Sequence, residues 1–93
     1  RRNSKSLRLL VEDLHNQIAS LSGKIEVNRQ LVKVADNRYE KSVLEFKQNR
    51  ITPTLHFEAR LTLDESKLDL AKTVSHYLKV RDLYDERTNF NKN

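Results

Sequence analysis

From Leu7 to Phe46 the chain carries a spacing that alternates between three and four residues: Leu7, Val11, Leu14, Ile18, Leu21, Ile25, Asn28, Val32, Ala35, Tyr39, Ser42, Phe46. Residues spaced this way return to one side of an α-helix and form a seam against which a second helix packs. The pattern holds for more than five heptads, with polar interruptions at Asn28 and Ser42. Gly23 falls inside it and costs a helix about 1 kcal/mol relative to Ala, which a helix of this length tolerates. From Leu7 to Gln48 such a helix spans about 63 Å at the usual rise per residue.

After residue 52 a second seam runs Ala59, Leu63, Ser66, Leu70, Thr73, Tyr77, Val80, Tyr84. Beside it lies another apolar stripe, Phe57, Leu61, Leu68, Ala71 and Leu78, and the first helix has its own off-seam positions at Leu9, Leu10, Val27, Leu31, Val34 and Leu44. One stripe per helix is enough to join two helices. Two stripes per helix predict neighbours on both sides.

The stretch between the seams predicts a sharp reversal. Pro53 is the only proline of the chain; it lacks a backbone donor and has a fixed φ, which suits the first residue of a helix and no interior one. Thr52 before it is a good N-cap, and Asn49 stands where a helix end in the left-handed conformation is expected. With a single Gly besides, the chain has little else from which to build loops. The expected fold is all-α: a long antiparallel two-helix coiled-coil hairpin occupying 1–93, with helices at 6–48 and 53–88 and a turn at 49–52. So short a connection makes the helices antiparallel neighbours. A two-helix ribbon has no thick core, so the chain is expected to associate with itself or with other parts of a longer protein.

Composition limits the alternatives. The net charge is +5, but Asp and Glu are interspersed with Lys and Arg, and only Arg1, Arg2, Lys5 and Arg8 crowd together. That distribution describes solvated helix faces better than a nucleic-acid-binding surface. There is no Cys, which excludes disulfides and thiolate metal sites, and no run of apolar residues long enough for a transmembrane helix. The chain has no Met and begins Arg1-Arg2, and is therefore expected to be a segment of a larger protein. His15, His56 and His76 lack ligand partners at metal-binding spacing and read as solvated or interhelical. Asp64 and Glu65 are adjacent, point about 100° apart on a helix and cannot share a proton or a substrate. No catalytic residue, metal or cofactor is expected.

The stretch around the turn resembles the TolC-type outer-membrane efflux channels. That family has an aromatic-x-x-Gly-x-x-[Ser/Thr] turn at the periplasmic tip of a long helical hairpin, followed by a helix with Ala and Leu at regular intervals and a late Tyr. Here the turn reads Phe46-Lys47-Gln48-Asn49-Arg50-Ile51-Thr52, with Ala59, Leu63, Leu70 and Tyr77-Leu78 matching the helix after it. The resemblance covers about Val32 to Tyr84, and Asn49 stands where the family has glycine. It implies one hairpin of a trimeric channel, part of an oligomeric periplasmic α-barrel, in a protein that reaches the membrane only through β-strands absent from this chain. It further implies a location in the periplasmic part of a Gram-negative outer-membrane protein, and a tip that meets a periplasmic adaptor. The partner-contacting residues would be Phe46, Asn49, Arg50, Ile51 and Thr52.

Three other readings compete. The periplasmic adaptor also has a long coiled-coil hairpin, but its tip pattern of Arg, then Leu four and Ser about eleven residues on, is not met from Arg38, where Ser42 and Asn49 follow, and is met from Lys41 only at Thr52. A basic helical module for nucleic acid or acidic membrane would need a continuous basic face. A coiled-coil scaffold unrelated to transport would give the turn no special role.

Overall fold

A computed structural model of the chain describes residues 2–90, and the side chains of residues 6–89. Two long helices make up almost all of it: α1, Arg2–Lys47, and α2, Pro53–Phe90. No strand is present among the described residues. The protein is an all-helical hairpin. α1 begins four residues before the expected start and ends one earlier than expected, while α2 runs two residues further. In the basic cluster, the side chains of Arg1, Arg2 and Lys5 lie outside the described ones.

The turn is built as its sequence directs. Asn49 has φ 58°, the left-handed conformation. Its N–H donates to the carbonyl of Phe46 at 3.0 Å, and the Arg50 N–H donates to the carbonyl of Glu45 at 2.8 Å. This nested pair is the Schellman arrangement, which satisfies carbonyls that the last turn of a helix otherwise leaves open. On the other side Pro53 is the first residue of α2. The Thr52 hydroxyl accepts from the N–H of Leu55 at 3.2 Å, and the Thr52 carbonyl accepts from the N–H of His56 at 3.1 Å. Thr52 is therefore an N-cap in both its side chain and its backbone.

Packing divides the chain into two compact units, which the continuous seam does not announce. One joins α1 up to Ile25 with α2 from Thr73 onward; the other spans Glu26–Lys72. In the first, Leu14, Leu21 and Val80 are buried, with Ile18, Tyr77 and Tyr84 packed against them. The order of these contacts, early α1 against late α2, makes the helices antiparallel there. In the second, Ala35, Ser42, Ala59 and Leu63 are buried, Leu63 to 4% exposure. The polar interruption at Asn28 is not idle: its side-chain amide donates across to the carbonyl of Asp69 at 3.4 Å.

Every seam residue from Leu7 to Ser42 is buried or half-buried, and so is every seam residue from Ala59 to Tyr84. The second stripes are not. Leu9, Val27, Leu31, Val34 and Leu44 on α1, and Phe57, Leu61, Leu68 and Leu78 on α2, are all exposed. No described side chain is sealed completely from solvent. Among the described residues no helix is long and apolar enough to cross a membrane.

Candidate interaction site at the turn

The turn lies within the 26–72 unit, and its residues differ in what they offer a partner. Asn49, Arg50 and Thr52 are exposed, and Ile51 is half-buried. Phe46, the last residue of the α1 seam, is 38% exposed. The five residues singled out from the sequence thus form one continuous end of the hairpin. Asn49 and Thr52 have structural duties there, as C-cap and N-cap, while Arg50 and Ile51 make no side-chain contribution to either cap.

A layered cluster supports this end from below. The imidazole of His56 stacks on Phe46, with ring centroids 4.8 Å apart and planes 1° from parallel. It also stacks on Tyr39, at 5.6 Å and 19°. Tyr39 and Phe46 are seven residues apart, about 10.5 Å of helical rise, which spaces them to take one ring between them. Arg60, one turn beyond His56, places its guanidinium carbon 5.6 Å from the centroid of Tyr39. α1 thus supplies Tyr39 and Phe46, and α2 supplies His56 and Arg60. Stacked aromatic pairs each contribute about 0.5–1.5 kcal/mol beyond the area they bury.

Polar contacts fix the same cluster. Ser42, buried on α1, has its hydroxyl 2.7 Å from the carbonyl of Tyr39 and 3.1 Å from Nδ1 of His56. Arg60 is held more firmly protonated than an ordinary arginine, first by its hydrogen bond to the Tyr39 phenol and then by the charge of Asp64. The Arg60–Asp64 ion pair, at 3.4 Å, lies on the exposed side of α2.

An open groove of about 380 Å³ adjoins the turn, lined by Arg38, Lys41, Ser42 and Glu45 of α1, by Ile51, and by Leu55, Glu58, Ala59 and Thr62 of α2. The small side chains of Ser42 and Ala59 leave the space; charges of both signs rim it. Among the described residues no three His, Cys, Asp or Glu side chains come together to hold a metal ion.

His56, Ser42, Tyr39 and Arg60 were not assigned to the turn by sequence reasoning. One signal was available. His56 precedes Ala59 and Leu63 on the same three-four spacing, so it continues the α2 seam toward the turn, and of the solvated and interhelical alternatives the second holds for it. Tyr84 similarly receives His15, at 6.1 Å between rings, while His76 is exposed.

Fold and site together define a two-helix hairpin with a doubly capped, aromatic-clamped turn and an unpartnered apolar stripe on each helix. Compared with protein-family models, with curated proteins and with solved structures, the chain matches none.

Proposed function

We propose that this chain is a periplasmic helical hairpin of a trimeric outer-membrane efflux channel, and that its turn is the tip that meets a periplasmic adaptor. The observation that carries the reading is Asn49. It occupies the glycine position of the family's tip pattern and has the left-handed backbone that such a glycine serves, φ 58°. Arg50 and Ile51 follow it at the end of the hairpin, and their side chains take no part in either cap. Their guanidinium and branched alkyl groups suit a contact that combines charge pairing with a small apolar anchor.

The exposed stripes fit the same role. In a channel wall each helix has a neighbour on both sides, and Val27, Leu31 and Val34 on α1 and Leu61 and Leu68 on α2 would pack against adjacent hairpins. The chain's part is to form conduit and contact, with no chemistry of its own.

The test is made in the full-length protein, in cells whose efflux is followed by accumulation of a fluorescent dye. Arg50→Ala combined with Ile51→Ala is expected to raise dye accumulation while leaving the helical content of the purified protein unchanged. Dye accumulation and adaptor binding both equal to wild type would remove the tip from the proposal. Sequence flanking the segment provides an independent check. Short alternating strands and a second similar hairpin are expected, whereas a lipoyl-like β domain would reassign the hairpin to the adaptor.

A further inference from the structure

A proton count fixes the state of His56. The Ser42 hydroxyl has one hydrogen, and it faces two groups: the Tyr39 carbonyl at 2.7 Å and His56 Nδ1 at 3.1 Å. A carbonyl only accepts, so Ser42 donates to Tyr39. Its oxygen is then the acceptor toward His56, and Nδ1 must carry a hydrogen. In the neutral side chain that leaves Nε2 bare.

We propose that His56, held as its Nδ1–H tautomer by Ser42, is the positioning residue of the turn, setting the register in which the start of α2 meets the end of α1. The role rests on the reading that the turn is a partner contact, since register matters there because it decides how Phe46 and residues 49–52 are presented together. One side chain makes three contacts with α1: a hydrogen bond to Ser42 and stacks on Phe46 and Tyr39. Its own N–H closes the first turn of α2 on Thr52. His56 therefore ties the cap of one helix, through its N–H, to the last three turns of the other, through its ring.

The buried seam residues nearest the turn hold the register loosely. Ser42 and Ala59, like Ala35, are buried but small, and small side chains accommodate one another in several alignments; the first large buried seam residue of α2 is Leu63, two turns beyond His56. A slip of α2 by one residue moves its side chains by about 1.5 Å along the axis and about 100° around it. Such a slip would take Nδ1 from Ser42 and the ring from Phe46 at once. A hydrogen bond and two stacking planes tolerate no such shift, so the histidine supplies the discrimination that the alanines lack.

The test reads the tautomer and the turn separately. In the isotope-labelled chain at mildly alkaline pH, imidazole nitrogen chemical shifts are expected to show His56 with its hydrogen on Nδ1. Ser42→Ala should move that hydrogen to Nε2, the nitrogen preferred by an unconstrained histidine, and speed amide exchange at Asn49 and Arg50, whose N–H groups are held by Phe46 and Glu45, several-fold with helical content unchanged. Ser42→Thr, which keeps the hydroxyl, should restore both. A hydrogen on Nε2 in the wild type, or turn exchange unaltered in Ser42→Ala, overturns the assignment. These measurements need no partner, whereas the tip contact is judged by dye accumulation in the full-length Arg50→Ala, Ile51→Ala variant. Either idea can therefore fail while the other stands.

Discussion

Ser42 and His56, fourteen residues apart in the chain, meet across the two helices with Oγ 3.1 Å from Nδ1. The contact turns a polar interruption of the α1 seam into a link between helices, and it stands directly beneath the turn. Around it the hairpin end is organised by caps on either side, and these can be tested one at a time.

Asn49 is the first. Its left-handed backbone, φ 58°, costs an ordinary L-residue about 1–2 kcal/mol but costs glycine nothing. Asn49→Gly is expected to leave the thermal midpoint unchanged or slightly raised. Asn49→Val, a β-branched residue at positive φ, should lower stability by at least 1 kcal/mol in a denaturant titration. Equal stability of the two variants would show that the turn relaxes out of the left-handed conformation.

Thr52 is the second. Its hydroxyl accepts the Leu55 N–H at the exposed start of α2. Thr52→Ala removes that acceptor and should cost about 1 kcal/mol, while Thr52→Ser or Thr52→Asp should recover most of it. Circular dichroism during urea unfolding is sufficient to rank the three.

A gain is expected at Gly23. It lies in the interior of α1, and a Cβ built there meets no atom within 4 Å. Gly23→Ala should stabilise the hairpin by about 0.5–1 kcal/mol through helix propensity alone. A loss of stability, or a change in association state, would mean that the apparent space is occupied in solution.

Leucines of the seam and of the outer stripe should behave in opposite ways. Leu63 is 4% exposed and Leu61, two residues earlier, is 42% exposed. Leu63→Ala should cost about 2–5 kcal/mol. Leu61→Ala should change stability by less than about 0.5 kcal/mol, yet reduce self-association measured by sedimentation. Leu70→Asp, which places an unpaired charge on the seam, should unfold the hairpin altogether.

Much of this architecture was legible in the sequence because it depends on short-range rules. The three-four spacing named the residues that face inward, Leu14 and Val80 among them, and the off-seam residues that stay outside, such as Leu44 and Phe57. Asn49, Thr52 and Pro53 each identified their place in the turn through a backbone preference that needs no partner. The clamp was less visible. Whether His56 stacks between Tyr39 and Phe46 depends on the register and separation of two helices, and a pattern read along one helix specifies neither. Ser42 looked like a flaw in its seam because its acceptor role exists only when His56 is opposite. The division of the packing near Ile25 and Thr73 was not readable as a boundary, since the three-four spacing of both seams continues through it and only the polar positions Asn28 and Thr73 lie beside it.

The absence of any fully sealed side chain among the described residues has a thermodynamic meaning. The hairpin's own burial leaves little reserve, and a further copy or partner that covers Val27, Leu31, Leu61 or Leu68 binds the folded helices and has no equivalent on the unfolded chain. By mass action, such an encounter adds directly to the free energy of folding, in proportion to the logarithm of the partner's concentration. The melting temperature of this chain is then a property of the solution as much as of the molecule, and should climb as the protein is concentrated.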